Sequence, residues 1–274
     1  MQVDVRGLTF QVRTGGPPGG VPVLLLHGFP QHGGEWDDVV PVLHAAGLRT
    51  YALDQRGYSP GARPAPVEAY RIPELVADAA GVLDALGVTD AHVVGHDWGA
   101  IVAWGLAAAH PERVRNLIAV SVPHPAAMAH ALATDPRQKA RSAYIALFRK
   151  PGRAEKVLLS LRATALRRML GAVGDAARVA RYADPMREPG ALTAALNWYR
   201  AMTGADLKAV GPVGVPTTFV WSDRDMAIGR TAAEACAAHV TGDYRLVELA
   251  GVSHWIPDEA PAPLAETILA RVVR

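Results

Sequence analysis

The chain has 274 residues and a formal net charge of +2, and half of its residues are hydrophobic. This length allows one large domain with a sizeable core, and the composition is that of a globular protein rather than a disordered or fibrous one. So small a net charge gives no reason to expect nucleic acid or an anionic membrane as a partner. The single cysteine, Cys236, excludes an internal disulfide, and its small-residue surroundings predict a buried helical thiol.

The first residues, MQVDVRGLTF, contain no basic stretch followed by an apolar one, so we expect no signal peptide. The longest apolar segment, IVAWGLAAA at 101–109, is well short of the roughly 18 residues that a membrane span requires. We therefore expect a cytoplasmic protein with no membrane partner. The sequence contains no signal for an oligomeric state.

Positive charge is concentrated in residues 136–182, which contain twelve basic side chains but only Glu155 and Asp175 as acidic ones. A basic face of this kind can attract anionic substrates. A solvated helical surface is the better explanation, because no aromatic or glycine-rich nucleic-acid motif is interleaved with it. The basic residues are Arg137, Lys139, Arg141, Arg149, Lys150, Arg153, Lys156, Arg162, Arg167, Arg168, Arg178 and Arg181.

The first part of the chain alternates short β-type runs with amphipathic helical ones. Branched apolar runs predict strands, while proline at the start of a helical pattern and glycine after it mark helix ends. The predicted strands are 21–28, 49–55, 91–95 and 114–122, and the predicted helices are 35–47, 73–87 and 99–111. Alternating strands and helices with short links predict a parallel sheet covered on both faces.

The alternation stops at about residue 124, and from there to residue 210 the pattern is helical. It resumes with two strands and two helices, at 216–222, 244–250, 230–239 and 260–273. We therefore predict an α/β fold with a mostly parallel central sheet, helices on both faces and an inserted helical cap. The predicted core is 1–123 with 211–274, and the predicted cap is 124–210.

A sharp turn is predicted where the strand that begins at Ala91 meets the next helix, in VVGHDWGA (93–100). Residues 95–99, GHDWG, match the nucleophile-elbow motif G-x-S-x-G with aspartate in place of serine. Gly95 and Gly99 fit this turn, which needs a permissive backbone and a helix lying close to the sheet. Asp97 could be a helix N-cap, but its position between a buried strand and a helix favours a nucleophile.

A nucleophile of this kind needs a base and a group that orients the base. The loop after the last predicted strand contains His254, and the stretch after the preceding strand contains Asp223 and Asp225. Asp97, Asp225 and His254 follow the chain order nucleophile, acid, histidine that is expected for this turn. No residues have the metal-ligand spacing H-E-x-x-H or C-x-x-C, so we expect no metal and no cofactor.

An oxyanion site should come from backbone N–H groups. One belongs to Trp98, directly after Asp97, and the other should belong to Phe29 in the loop after the first predicted buried strand. With these two residues, Phe148 and Trp198 suggest an apolar substrate pocket, although ordinary packing explains all four equally well. We expect a small apolar organic substrate.

Five segments, spread over nearly the whole chain, resemble the α/β-hydrolase superfamily and more closely its epoxide hydrolase and dehalogenase branch. The resemblance implies an aspartate nucleophile and a helical cap that is inserted after the strand ending near Val122. The five segments are HGFP (27–30), DQRGYSPGARP (54–64), VGHDWGA (94–100), SDRDMAI (222–228) and GVSHW (251–255).

This resemblance implies attack by Asp97 on an electrophilic carbon, followed by hydrolysis of the alkyl–enzyme ester by water that His254 activates. ALNWYRA and SAYIALFRKPG are similar to the two epoxide hydrolase cap segments that carry proton-donating tyrosines, here Tyr199 and Tyr144. A phenol suits that role because it stays protonated at neutral pH. The sequence therefore favours opening of an epoxide to a vicinal diol.

Two other functions are compatible with these residues. A haloalkane or haloacid dehalogenase would use the same nucleophile, and Trp98 matches the halide-binding tryptophan of haloalkane dehalogenases. Against this, Phe29 stands where those enzymes carry an asparagine, and Trp98 cannot hold a carboxylate as the arginine of fluoroacetate-type enzymes does. A non-catalytic ligand-binding protein with a hydrolase fold is the third possibility, but such a protein needs neither a triad nor donor tyrosines.

Overall fold

The computed structural model describes residues 1–272, which form one sheet of eight strands in the order β1-β2-β4-β3-β5-β6-β7-β8. β2 is antiparallel to its neighbours β1 and β4, and the other neighbouring pairs are parallel. This confirms the predicted α/β class with a mostly parallel sheet. The strands are β1 (Gln2–Val5), β2 (Leu8–Gly15), β3 (Val21–Leu26), β4 (Leu48–Asp54), β5 (Ala91–His96), β6 (Val114–Val120), β7 (Thr217–Ser222) and β8 (Tyr244–Leu249).

Helices occupy most of the connections between the strands. The longest of them, α7, is interrupted at residues 160–163, where the backbone leaves the helical region. The helices are α1 (Val40–Ala45), α2 (Ile72–Ala85), α3 (Trp98–Ala109), α4 (Pro125–Thr134), α5 (Pro136–Arg141), α6 (Tyr144–Phe148), α7 (Arg153–Met169), α8 (Ala176–Ala183), α9 (Ala191–Ala201), α10 (Gly204–Ala209), α11 (Arg230–Ala235), α12 (Ile256–Glu259) and α13 (Pro261–Val272).

The central strands are apolar throughout because both faces of the sheet are covered. Successive residues of β3 point to opposite faces, so Leu24 and Leu26 join one hydrophobic cluster while Val23 and Leu25 join another. The first cluster includes residues of α2 and α3, and the second includes residues of α1 and α13. The predicted two-sided covering of the sheet is confirmed.

The observed elements differ from the predicted ones in two places. The six predicted strands agree with β3 to β8 within two residues at each end, but β1 and β2 were not predicted. The helix predicted at 35–47 is split into a 3-10 turn at Gly33–Trp36 and the short α1, which has Pro41 in its first turn. The closing helix predicted at 260–273 is observed as α13, and residue 273 lies outside the described residues.

The residues between β6 and β7 form helices α4 to α10 and add no strand to the sheet. Helix α8 joins this segment to the rest of the protein: the hydroxyl of Tyr182 donates to Asp258 (2.7 Å), and Arg178 pairs with Asp38 (2.6 Å). The division into a core (1–123 and 211–274) and a cap (124–210) stays a prediction. Within residues 1–272, no helix is both long enough and apolar enough to cross a membrane.

The turn between β5 and α3 has its unusual backbone conformation at Asp97, which has a φ of +51°. The glycines on either side are needed for space. A Cβ on Gly95 would lie 2.2 Å from the carbonyl oxygen of Gly99, and a Cβ on Gly99 would lie 2.0 Å from that of Leu26. The predicted close approach of helix and sheet is therefore present. The buried thiol of Cys236, at the end of α11, also agrees with the prediction.

Replacing Gly99 with alanine should destabilise the protein, because the new methyl group would collide with the backbone of β3 rather than with a movable side chain. We expect the free energy of unfolding to fall by about 2 kcal/mol. The shift of the urea midpoint at constant m-value measures this loss. Gly204→Ala is the matched control, since Gly204 begins α10 and has nothing within 4 Å of the added carbon. Equal midpoints for the two variants would contradict this account of the turn.

Candidate active site

Asp97 lies where β5 ends and α3 begins, and it is buried. Its Oδ1 accepts a hydrogen bond from the backbone N–H of Phe29 (2.9 Å). Phe29 follows β3, which is the parallel neighbour of β5, so the carboxyl ends of the two strands bring these residues together. Trp98, the other predicted N–H donor, is the first residue of α3, where N–H groups lack acceptors within the helix.

His254 lies between two carboxylates. Its Nδ1 is 2.9 Å from Oδ2 of Asp225, and its Nε2 is 3.4 Å from Oδ2 of Asp97. The other carboxylate oxygen of Asp225 accepts hydrogen bonds from the N–H groups of Ala227 (2.7 Å) and Ile228 (2.9 Å), which fixes the orientation of this acid. Asp223 is exposed and accepts instead from the N–H of Gly251 (2.7 Å), so it does not contact the histidine.

The two carboxylates control the charge of the imidazole. Burial alone would lower the pKa of His254, but the charges and hydrogen bonds of Asp225 and Asp97 outweigh it and raise the pKa to about 10. Burial also opposes ionisation of Asp97, yet the neighbouring His254 lowers the pKa of this carboxyl below its ordinary value. The resting site is therefore a cationic imidazole between two anionic carboxylates.

Two phenols from the helical segment reach the same site. Tyr144 begins α6 and Tyr199 lies on α9, and their ring centroids are 6.4 Å apart. Arg149, directly after α6, donates to the carbonyl oxygens of Tyr199 (2.8 Å) and Met202, which joins the two helices. Burial, with the nearby charge of Asp97, raises the pKa of both phenols, so both are protonated at neutral pH. Although 36% of Tyr144 is exposed, it also lines the cavities beside Asp97.

Asp97, Tyr144 and Tyr199 border two cavities, of about 290 Å³ and about 90 Å³. Among the other predicted site residues, the larger cavity is also lined by Phe29, Phe148 and His254, and the smaller one by Trp98. Both have mainly apolar walls. A third cavity of about 440 Å³ has a mixed polar and apolar lining that does not include Asp97, so we assign it no part in this site.

Trp198 is the predicted pocket residue that borders neither of the two cavities beside Asp97. Its indole is buried against that of Trp98, with ring centroids 5.5 Å apart, and its Nε1–H donates to the carbonyl oxygen of Arg56 (2.9 Å). The side chain therefore packs against Trp98, which lines the smaller cavity, and does not itself line either cavity. This position is the ordinary packing that was the alternative explanation for Trp198.

A buried polar pair, Glu35 and His96, lies next to Asp97 and His254 and was not predicted from the sequence. Nε2 of His96 lies 2.9 Å from the carbonyl oxygen of His254 and must donate to it, so Nδ1 is the acceptor in the neutral ring. Oε2 of Glu35 is 3.3 Å from Nδ1. Burial raises the pKa of Glu35 and lowers the pKa of His96 to about 4, so burial favours the neutral form of both groups.

The Glu35–His96 pair helps to hold the backbone of His254, whose carbonyl oxygen also accepts from the hydroxyl of Ser121 (2.9 Å). Its sequence signal was weak. Glu35 is the first residue of the helix predicted at 35–47, and His96 is marked only by its position before Asp97. Among residues 1–272, no group of three or more histidine, cysteine or acidic side chains is arranged to hold a metal ion.

The chain matches the family described as alpha/beta hydrolase fold over residues 21–261. It is 36% identical over 273 residues to AB hydrolase superfamily protein YfhM of Bacillus subtilis, a match that covers 97% of this chain and 95% of that protein. It is 34% identical over 310 residues to Epoxide hydrolase A of Mycobacterium tuberculosis, with the same coverage of 97% and 95%.

Solved structures give the same result. A crystal structure of Bacillus megaterium epoxide hydrolase in complex with an inhibitor is similar with a TM-score of 0.90 and 26% identity, and the match covers 100% of both chains. These similarities extend over the whole chain rather than over one motif, and they confirm the resemblance found in the sequence. The chain therefore belongs to the α/β-hydrolase superfamily, as an epoxide hydrolase-like hydrolase.

Proposed function

We propose that this hydrolase opens an epoxide to a vicinal diol through a covalent ester on Asp97, with residues 124–210 acting as a cap over the site. One observation carries the proposal: the ionised carboxylate of Asp97 and the protonated phenols of Tyr144 and Tyr199 border the same cavities. Opening an epoxide requires a nucleophile at carbon and a proton donor at oxygen, and this site contains both.

In the first step, Oδ2 of Asp97 attacks one epoxide carbon, and the bond from that carbon to the ring oxygen breaks. Oδ1 stays bound to the N–H of Phe29, which orients the carboxylate for attack. The departing oxygen takes a proton from Tyr144 or Tyr199. Because an alkoxide is a stronger base than a phenolate, this transfer is favourable even for a phenol of raised pKa.

Formation of the ester prepares the base for the second step. Esterified Asp97 carries no charge, so only Asp225 still stabilises the imidazolium and the pKa of His254 falls. The proton that His254 then releases can return, through solvent, to the phenolate left by the first step. Neutral His254 can now take a proton from water, which attacks the ester carbonyl and releases the diol.

The oxyanion of the second step forms on Asp97 itself. Backbone N–H groups of Phe29 and Trp98 are the proposed donors, since one already binds the carboxylate and the other begins α3 beside it. Attack by water restores the carboxylate and the imidazolium. The cycle therefore adds one water to one epoxide and leaves the protein unchanged.

Dehalogenation of a haloalkane or haloacid is the second candidate, because Trp98 borders the smaller cavity beside the same nucleophile. A halide leaves as a stable anion and needs hydrogen-bond donors but no proton. The side chain of Phe29 provides no such donor, and two protonated phenols at the cavity wall suit an alkoxide better. Epoxide opening therefore ranks first, and a purely ligand-binding role would leave both the triad and the phenols without a use.

His254→Gln should stop the cycle after the first step, because glutamine cannot activate water for attack on the ester. With styrene oxide, we expect wild-type protein to release diol and the variant to accumulate an adduct with the mass of the whole epoxide. Mass spectrometry of intact protein and of the peptide containing Asp97 measures this.

The double variant His254→Gln, Asp97→Asn is the control and should form no adduct. If a haloalkane forms an adduct with the protein and loses its halide, and if no epoxide reacts, dehalogenation replaces epoxide opening as the first candidate function. Absence of an adduct from every substrate that wild-type protein converts would contradict a covalent intermediate.

Removing both phenol hydroxyl groups should remove the proton donor. We expect Tyr144→Phe with Tyr199→Phe to lower kcat/KM for epoxides by at least about 100-fold, the lower range for general acid catalysis. Diol formation at neutral pH measures the effect, and Tyr51→Phe, on β4 away from the site, is the control. Near wild-type rates in the double variant would place the donor elsewhere.

The charge of Asp97 should help to keep His254 protonated. Asp97→Asn imitates the neutral ester, so the pKa of His254 should fall from its raised value of about 10 toward its ordinary value near 6.5. NMR titration of the imidazole resonances measures the change. Asp223→Asn, which removes a carboxylate that does not contact His254, should leave the pKa unchanged. An equal pKa in Asp97→Asn and wild-type protein would contradict the proposed switching of the base.

A further inference from the structure

Arg141 is the one basic side chain other than His254 among the residues lining the 290 Å³ cavity within the described part of the chain. It ends α5, and its exposed side chain lines this cavity. No carboxylate in residues 1–272 lies within ion-pair distance of its guanidinium. A positive charge without a carboxylate partner among the described residues therefore borders a largely apolar space.

The guanidinium is fixed by one of its three nitrogens. Nη1 donates to the backbone carbonyl oxygen of Asp225, while Nε and Nη2 have no hydrogen-bond acceptor among the described residues. The edge formed by Nε and Nη2 has the geometry that binds both oxygens of a carboxylate. Because Asp225 also contacts His254, this free edge is held in a defined position relative to the reacting groups.

The remaining walls of this cavity indicate what the rest of the ligand should be. Beyond the triad residues, the phenols and Arg141, its lining is apolar, with Leu147, Phe148 and Leu158 among the side chains. Such walls favour a hydrocarbon body between the reacting carbon and the charged end.

The surrounding charge supports an anionic ligand. Of the twelve basic residues in 136–182, three have carboxylate partners in the described structure: Arg167 with Asp184, Arg178 with Asp38, and Arg181 with Asp37. The other nine, including Arg141, have none there. This excess of unpaired cations gives the segment a positive potential, which raises the local concentration of anions.

We propose that Arg141 determines specificity by binding the carboxylate of an amphipathic substrate, one with an epoxide at one end, a hydrocarbon chain, and a carboxylate at the other end. This assignment rests on the proposed epoxide hydrolysis for the reaction. The recognition of a carboxylate by the free Nε–Nη2 edge does not depend on the reaction and is tested separately below.

The first test compares octanoic acid carrying a terminal epoxide with its methyl ester. We expect Arg141→Met to lower the acid-to-ester ratio of kcat/KM about fivefold, a modest effect because the guanidinium is partly exposed. Arg137→Met is the matched control: Arg137 lies on the same helix and does not line the cavity, so its variant should keep the wild-type ratio. A fall in acid and ester turnover by the same factor would mean that Arg141 only positions Asp225, and would overturn the proposal.

The second test is binding of octanoate and octanamide, measured by isothermal titration calorimetry on wild-type protein, Arg141→Met and Arg137→Met. We expect wild-type protein and Arg137→Met to bind octanoate about fivefold more tightly than octanamide, and Arg141→Met to bind the two equally. Equal binding of the two ligands to wild-type protein would overturn the proposal. The two proposals can also fail separately. If wild-type protein prefers octanoate, Arg141→Met removes that preference, and wild-type protein converts no epoxide, the proposed reaction is overturned while the role of Arg141 is supported.

Discussion

The proposed chemistry of this protein depends on how the chain passes from β5 into α3 at Asp97. The positive φ of this residue costs about 1–3 kcal/mol in a side-chain-bearing residue, so the surrounding packing must hold it. Gly95 and Gly99 permit that packing, since they let the start of α3 touch the ends of β3 and β5. The carboxylate is then presented to the loop after β3, where the N–H of Phe29 binds it. A small loss of space at Gly99 would therefore displace the carboxylate of Asp97, the proposed nucleophile, as well as the helix.

The same turn defines the electrostatics of the site. Three ionisable groups from three strand ends, Asp97, Asp225 and His254, are buried together and carry a net charge of −1 when the imidazole is protonated. Each carboxylate stabilises the imidazolium, and the imidazolium in turn keeps Asp97 ionised. In the proposed mechanism, conversion of Asp97 into an ester would change this balance in one step. His254, an acid in the resting protein, would thus become a base at the point where the proposed second step requires one.

Much of the fold could be predicted from the sequence because the buried parallel strands are continuous apolar runs with glycine or proline at the ends of the adjoining helices. The interruption of this pattern also predicted where helices α4 to α10 lie. β1 and β2 were missed because β1, at the sheet edge, has only four residues and β2 is only partly buried, so neither shows the continuous apolar run of the central strands. The split of the helix at 35–47 follows from Pro41, which begins a new helix more readily than it continues one.

The residues of the candidate site were predictable to the extent that they follow strand ends or stand in recognisable segments. Asp97, His254 and Asp225 come together as expected, and so do Tyr144 and Tyr199. Glu35 and His96 could not be found in this way, since their pairing depends on two segments that are 61 residues apart in the sequence and meet only in the folded chain. Trp198 shows the reverse case: an aromatic residue beside a site residue in sequence packs behind the wall rather than on it.

The site combines two parts of the chain with different electrostatic roles. The strands and their following loops supply the charged groups, which must be held close together to keep their shifted pKa values against the opposing effect of burial. Helices α6 and α9 supply neutral donors, and Arg149 fixes the two helices to each other through backbone carbonyl oxygens. Neutral phenols add a proton source without adding a second cation beside His254, which would lower the pKa of that imidazole and weaken its pairing with Asp97. Among residues 1–272, Arg141 is the one further cation that lines the larger cavity, and its exposed side chain is the proposed partner of an anionic group at the other end of the substrate.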